Sequence, residues 1–372
     1  MSISQDALLV LLPLYVLDLG MSPAFAALVI GIRGIGILAF DVPAGQLVMR
    51  YGERVVLTIG LLAACSGFLI IAMSGAEASL AAAAVLFGIG FASWMLGRQS
   101  YIAACCAPEE TGRAIAVMAG IQRGGALLGP LLGGVVAQYA SFSAAFVLCA
   151  VLALVAGIVV LLYTKEVAET ESGEGGDGSL AATVREHRGV FATAGFAAMM
   201  LQLMRATRRL LVPLFGQAVG LDVATIGAIY ALSAAIDMCL FYPVGVLVDR
   251  RGRRWSAIPA MVLFAIGLAL LPLADDRASL LAVALLLGFA NGCGSGIVMI
   301  MGADLSRRAV SRGSFLSVWR LMADGGTSTA PLLTSFVISV AGLAAASTIV
   351  AALGAAGAAV MITLVAETNR AQ

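Results

Sequence analysis

Twelve apolar runs, each about long enough to cross a bilayer as a helix, follow one another along this chain. A spanning helix needs about 20 predominantly apolar residues, because each residue advances only about 1.5 Å against a hydrocarbon layer about 30 Å thick. The runs fall near 3–19, 23–48, 55–74, 79–104, 114–138 and 142–163, then 190–219, 223–248, 255–273, 279–303, 314–340 and 342–365. Hydrophobic residues make up 61% of the chain and charged residues 12%. Water-soluble domains hold about 45–50% and about 25%, so no aqueous core could absorb these runs and lipid is the expected solvent. The first run begins at Met1 with neither a basic stretch nor a small-residue cleavage site, so it reads as a span and not as a leader.

Charge in the connections predicts orientation. With the N-terminus inside, the cytoplasmic side holds fourteen basic residues, among them Arg50, Arg54, Arg113, Lys165, Arg250, Arg253, Arg308 and Arg370, and the outside holds only Arg277. Positive residues accumulate on the cytoplasmic side, so both termini are expected in the cytosol. Residues 164–188 carry Glu, Asp, Gly and Ser in place of apolar residues and read as a flexible cytosolic linker. The expected division is therefore an N-terminal six-helix bundle over 1–163, the linker 164–188, and a C-terminal six-helix bundle over 189–372.

The two halves repeat each other. Pro43, Gly45, Arg50, Gly52 and Arg54 recur as Pro243, Gly245, Arg250, Gly252 and Arg254, and Gly88 recurs as Gly288, all at an offset of 200. At 201, Gly124, Gly125 and Pro130 recur as Gly325, Gly326 and Pro331. Parallel repeats of this kind place a solute site between the halves.

The loop after the eighth run reads Gly245-Val-Leu-Val-Asp249-Arg250-Arg251-Gly252-Arg253-Arg254. Its copy after the second run reads Gly45-Gln-Leu-Val-Met49-Arg50-Tyr51-Gly52-Glu53-Arg54. The fifth run contains Gly125-Ala-Leu-Leu-Gly129-Pro130-Leu-Leu-Gly133-Gly134, a small-residue face that admits a neighbouring helix closely, with a proline that frees one backbone bond. Together these segments resemble the major facilitator superfamily over essentially the whole chain, and the fifth run is similar to the signature of its bacterial drug and small-molecule:proton exporters. The resemblance implies an all-α membrane protein of twelve helices in two parallel six-helix repeats. Two departures stand out: Met49 and Glu53 replace the family's Asp and Arg in the first loop, and Ala84 stands where exporters often carry an arginine before Gly88.

Seven arginines lie inside the runs, Arg33, Arg98, Arg123, Arg205, Arg208, Arg209 and Arg320, with the acids Asp41, Asp237 and Asp324. Charge within a span is costly and marks a solute or ion path by default. The family's helix packing implies two cross-domain pairs, Arg33 with Asp324 and Arg123 with Asp237; the local alternative is Arg320 with Asp324 at i, i+4. Arg205, Arg208 and Arg209 share a helix face that the family turns to its central cavity, which suits an anionic solute, or else one or two of them pair and the third reaches toward water. Trp94, Trp319 and Tyr230 offer rings for an organic solute, or simply pack.

The expected function is secondary active transport of a small organic solute across the bacterial cytoplasmic membrane, by proton-coupled export with alternating access. Import of a small or anionic solute and a non-transporting receptor on the same fold are the alternatives. A net charge of +1 argues against a nucleic-acid partner, and the absence of a GxxxxGK[ST] loop against ATP. One histidine, His187, and six cysteines with no metal-ligand spacing leave no cofactor, metal or catalytic set to expect, and the chain is expected to act as a monomer in lipid.

Overall fold

The computed structural model describes residues 1–106, 108–164, 180–307 and 309–367, and these are helical with no strand among them. Residues 165–179, most of the expected linker, and Lys165, Arg308 and Arg370 of the loop charge lie outside the described residues. The chain divides into two compact units, Met1–Ser172 with Gly220–Ala231, and Gly173–Val219 with Leu232–Gln372.

The first unit holds α1 (Ser2–Asp18), α2 (Pro23–Met73), α3 (Glu77–Cys105), α4 (Pro108–Tyr139) and α5 (Phe142–Tyr163). The second holds α6 (Leu180–Glu186), α7 (Arg188–Val190), a π turn over Phe191–Gly195, α8 (Phe196–Ala218), α10 (Arg254–Leu270), α11 (Arg277–Cys293), α12 (Ile297–Ser306) and α13 (Arg312–Thr363), while α9 (Val223–Arg251) begins in the first unit and ends in the second. Nine helices are long and apolar enough to cross a membrane among the described residues. Two of those nine, α2 and α13, are each two helices broken at Gly52 and Gly342, so eleven apolar segments result; α1, at 17 residues, is the shorter candidate for a twelfth.

Internal packing repeats. In the first unit α1 lies against α4, and α2 against both α3 and α5; in the second unit α8 lies against α13, α10 against α11, and α10 against α13. Glycines explain why neighbouring helices can approach. A Cβ added at Gly88 would stand 2.6 Å from the carbonyl oxygen of Arg33, and one at Gly288 would collide with the carbonyl oxygen of Ser233, the repeat-equivalent residue. Likewise Gly125 abuts Ser2 of α1, and Gly326 abuts the Met199 carbonyl of α8.

The two loops of the repeat share a backbone and differ in charge. Gly52 and Gly252 adopt φ of +78° and +102°, a region that costs a side chain about 1–2 kcal/mol. Arg54 donates to the Leu161 carbonyl and Arg254 to the Ile362 carbonyl, so each arginine caps the last turn of the sixth helix of its own half. After that the copies part. Arg253 Nε donates to Asp304 Oδ2 at 2.8 Å, whereas Glu53 accepts from Ser100 Oγ at 2.8 Å. The backbone N–H groups of Arg253 and Arg254 donate to Glu367 at 2.8 and 3.1 Å.

With the side chains of Arg253 and Asp304 only 13% and 10% exposed, removing one partner strands the other. Asp304→Ala is therefore expected to cost about 3 kcal/mol and Ser100→Ala only about 1 kcal/mol, a contrast that thermal melting of the purified variants would read directly.

Two sequence expectations are corrected. Part of the stretch read as flexible linker is helical, since residues 180–186 form α6 and Thr183 is buried. The tenth run, read as continuous over 279–303, is interrupted: α11 ends at Cys293 and α12 starts at Ile297. Gly296, in the left-handed region at φ +72°, permits the break within Gly292-Cys-Gly-Ser-Gly296.

Candidate functional site

The break in the tenth run is where buried charge of the second unit converges. A helix that stops inside a membrane leaves carbonyls without partners, and each must find a donor. Arg205 of α8 donates Nη2 to the Gly294 carbonyl at 2.5 Å and Nη1 to Gln202 at 2.9 Å. Asp237 of α9, 8% exposed, accepts from Asn291 Nδ2 at 2.8 Å and from Ser295 Oγ at 3.1 Å. Arg208, one turn beyond Arg205 and 5% exposed, donates to Ser233 Oγ at 2.6 Å, and Ser233 passes the bond to the Ala284 carbonyl. Three helices, α8, α9 and α11, are thus joined by side chains that each carry or answer a charge.

The carboxylate of Asp237 has chemically unequal partners. Asn291 Nδ2 can only donate. Ser295 is a hydroxyl and can reverse: it donates to the carboxylate or accepts from the carboxylic acid. A proton on Oδ1 can therefore be accommodated by rotating one hydroxyl, and that hydroxyl belongs to the helix break.

Other expected site residues fall as follows. Arg33 is buried on α2 with its guanidinium 5.0 Å from the Phe91 ring centre, and Arg123 is half-buried on α4. Arg209 is half-buried on α8 and has no hydrogen bond or ion pair among the described residues. Arg320 and Asp324 meet as the i, i+4 pair at 3.3 Å, with side chains 52% and 40% exposed. Of the loop residues, Arg50 lies over Tyr51, Gly45 sits near Leu96, and Arg250 and Asp249 end α9 beside the open Gly245.

The fifth-run motif, on α4, packs against two neighbours. Gly125, Gly129 and Gly133 face α1, with Gly129 against the Ile3 carbonyl and Gly133 2.8 Å from Leu11 Cδ1 by an added Cβ. Gly134 faces the first turn of α9, where an added Cβ would come within 2.9 Å of the Val223 carbonyl. Gly227 of α9 answers it against the Pro130 carbonyl.

Of the three rings, Trp319 is committed to packing: it is buried and its indole N–H donates to the Val298 carbonyl at 2.9 Å. Tyr230 is buried as well. Trp94 is buried too, packed with Leu57 and Leu61, and it also lines a cavity of about 570 Å³ in the first unit, together with Arg98, Ser2 and the apolar residues Ile102, Val117 and Ile121. Sequence reasoning passed over this cavity, although Trp94 and Arg98 stand at i, i+4 and that spacing was its signal. It also passed over the break at Gly294–Gly296, which the glycine-serine run 292–296 announces.

Known proteins agree with this architecture. The sequence pattern of the Major Facilitator Superfamily matches residues 1–206 and again 194–372. The chain is 25% identical over 275 residues to a protein named multidrug resistance protein MdtH of Aeromonas hydrophila, covering 70% of this chain and 68% of that one. It is 24% identical over 242 residues to the protein of the same name in Yersinia enterocolitica, covering 64% of this chain and 59% of that one. Among solved structures, a POT family transporter in complex with 5-aminolevulinic acid superimposes with a TM-score of 0.79 at 11% identity, over 97% of this chain and 92% of that one. A D-xylose-proton symporter superimposes with a TM-score of 0.73 at 15% identity, over 99% and 96%. At such identities the structures speak for the fold alone.

Proposed function

Because this chain belongs to the major facilitator superfamily, it is a multi-pass membrane transporter, and we propose that it exports a small organic solute across the bacterial cytoplasmic membrane in exchange for protons. The reading includes twelve spans in two six-helix bundles, 1–163 and 189–372, joined by 164–188, with both termini cytosolic and the monomer as the working unit. The observation that carries export is the Gly125–Gly134 face, whose small residues seat α4 on α1 while Gly134 meets α9. The relatives named for multidrug resistance support the same direction.

Asp237 is the proposed proton carrier. Its bond to Ser295 ties the protonation state to the Gly294–Gly296 break, and Arg205 holds the same break from the other side. Loss of the Asp237 charge would loosen one of the two holds, so the tenth helix could change shape as the proton arrives. Arg33, Arg123, Arg208, Arg209, Arg320 and Asp324 are assigned to the solute and ion path, and the two loops of the repeat to gating. With no nucleotide-binding loop, the energy comes from an ion gradient.

Inside-out vesicles carrying a proton gradient test this. Adding a transported solute is expected to dissipate the gradient, read by a pH-sensitive dye, and vesicles lacking the protein should not respond. Solute uptake into right-side-out vesicles with the gradient inward would establish import instead. No flux in either direction from any of a broad panel of cationic, neutral and anionic compounds would favour the receptor reading.

A further inference from the structure

The cavity beside Trp94 holds an arginine that makes no ion pair among the described residues. Arg98 sits on α3 seven residues before its end at Cys105, about 10 Å along the axis, inside an apolar span. Its guanidinium lies 4.0 Å from the centre of the Trp94 ring, and its Nη2 reaches only the thioether of Met95, at 3.1 Å. Thioether sulfur is a weak acceptor. Its Nε is buried without a hydrogen-bond partner, and among the described residues Arg98 makes no ion pair. An arginine so placed, over an indole ring and desolvated on one edge, is a preorganised receptor for an oxyanion.

The walls say what else the ligand carries. Ile102, Val117, Met118 and Ile121 supply apolar surface from α3 and α4, and the cavity of about 570 Å³ has the size of a small-molecule site. Among the described residues two further charges line it, Glu110 and Arg113 at the start of α4, and they offset each other, so Arg98 sets the sign. Ser2 adds a hydroxyl from α1. We propose that this cavity binds an amphipathic organic anion, its carboxylate, sulfonate or phosphate on Arg98 and its flat apolar body between Ile102 and Val117–Ile121. This deepens the transport reading and rests on it: under the proposed orientation the cavity stands at the cytoplasmic end of the first half, where an exported solute would load.

The test uses the full chain in detergent, with 2-naphthoate as probe and neutral 2-naphthamide as its near-isosteric control. Calorimetry should find 2-naphthoate binding more tightly than the amide, and binding should slow maleimide modification of Cys106, which lines the cavity, as read by peptide mass spectrometry. Arg98→Gln should weaken 2-naphthoate roughly 10- to 100-fold, the loss of a charged hydrogen bond, and leave the amide unchanged. Arg98→Lys should lose less. Glu110→Gln leaves the positive charge of Arg113 without its offset and should bind at least as tightly as the parent. Equal binding of acid and amide by the parent, absence of acid binding, or full affinity in Arg98→Gln would each overturn the proposal. Competition by phosphatidylglycerol would support the site while assigning it to a lipid headgroup.

Parallel vesicle flux separates this proposal from the reading beneath it. Arg98-dependent binding in a protein that moves no solute leaves the site standing and removes the transport reading. Transport of other solutes with no 2-naphthoate binding does the reverse.

Discussion

Gly129→Leu is expected to abolish transport and to lower thermal stability, while Gly120→Leu, nine residues earlier on the same helix, should do neither. Gly129 is buried on α4, and a Cβ there would overlap the carbonyl oxygen of Ile3 and stand 2.8 Å from the backbone nitrogen of Ala7. Both atoms belong to the α1 backbone, so no side chain can rotate away and α4 must leave α1. Overfilling a packed core by a few methylenes costs about 1–3 kcal/mol even when neighbours can adjust, and here they cannot. Gly120 is exposed with nothing within 4 Å of the same added atom, which makes it the control for glycine replacement in itself. Flux at matched membrane abundance and melting in detergent are the two readouts. Normal flux and normal melting in Gly129→Leu would reduce the motif to ordinary small-residue packing.

The repeat made much of this fold legible. Spans of about 20 residues or more, glycines at offsets of 200 and 201 and basic loops are one-dimensional signals, and the helix contacts at Gly88, Gly288, Gly125 and Gly326 follow from them. The site was less legible because its bonds are not repeated. Residue 33 is an arginine and its equivalent 233 a serine that receives Arg208, so the second half takes its buried arginine from a different helix. Glu53 with Ser100, against Arg253 with Asp304, is the same divergence in the loops. A break at Gly294–Gly296 is hidden by hydropathy averaging, which sees the apolar residues on both sides and not the backbone between them. Arg98 was visible as an embedded charge, but its lack of a carboxylate partner among the described residues depends on where α1 and α4 place their side chains.

The second large effect belongs to Asp237. If that carboxyl carries the coupled proton, Asp237→Asn should abolish accumulation against a gradient yet keep downhill exchange of solute. The amide has the shape of the acid; its oxygen can still accept from Asn291, and its nitrogen can donate to Ser295 Oγ, so both bonds of the site survive. Stability should stay close to the parent's. Asp237→Ala, in contrast, deprives Asn291 and Ser295 of their shared acceptor in a site 8% exposed, and each buried polar group left unsatisfied costs about 1–3 kcal/mol. That variant should lose both stability and flux. The comparison isolates charge from structure: a purely structural Asp237 predicts that Asn restores everything, and a proton carrier predicts that Asn restores the fold and exchange but not uphill movement. Ser295→Ala completes the reasoning, because it removes a partner able to reverse its hydrogen bond when the proton arrives. Its uphill rate should fall, with the fold retained. Uphill transport by Asp237→Asn equal to the parent's would end the assignment.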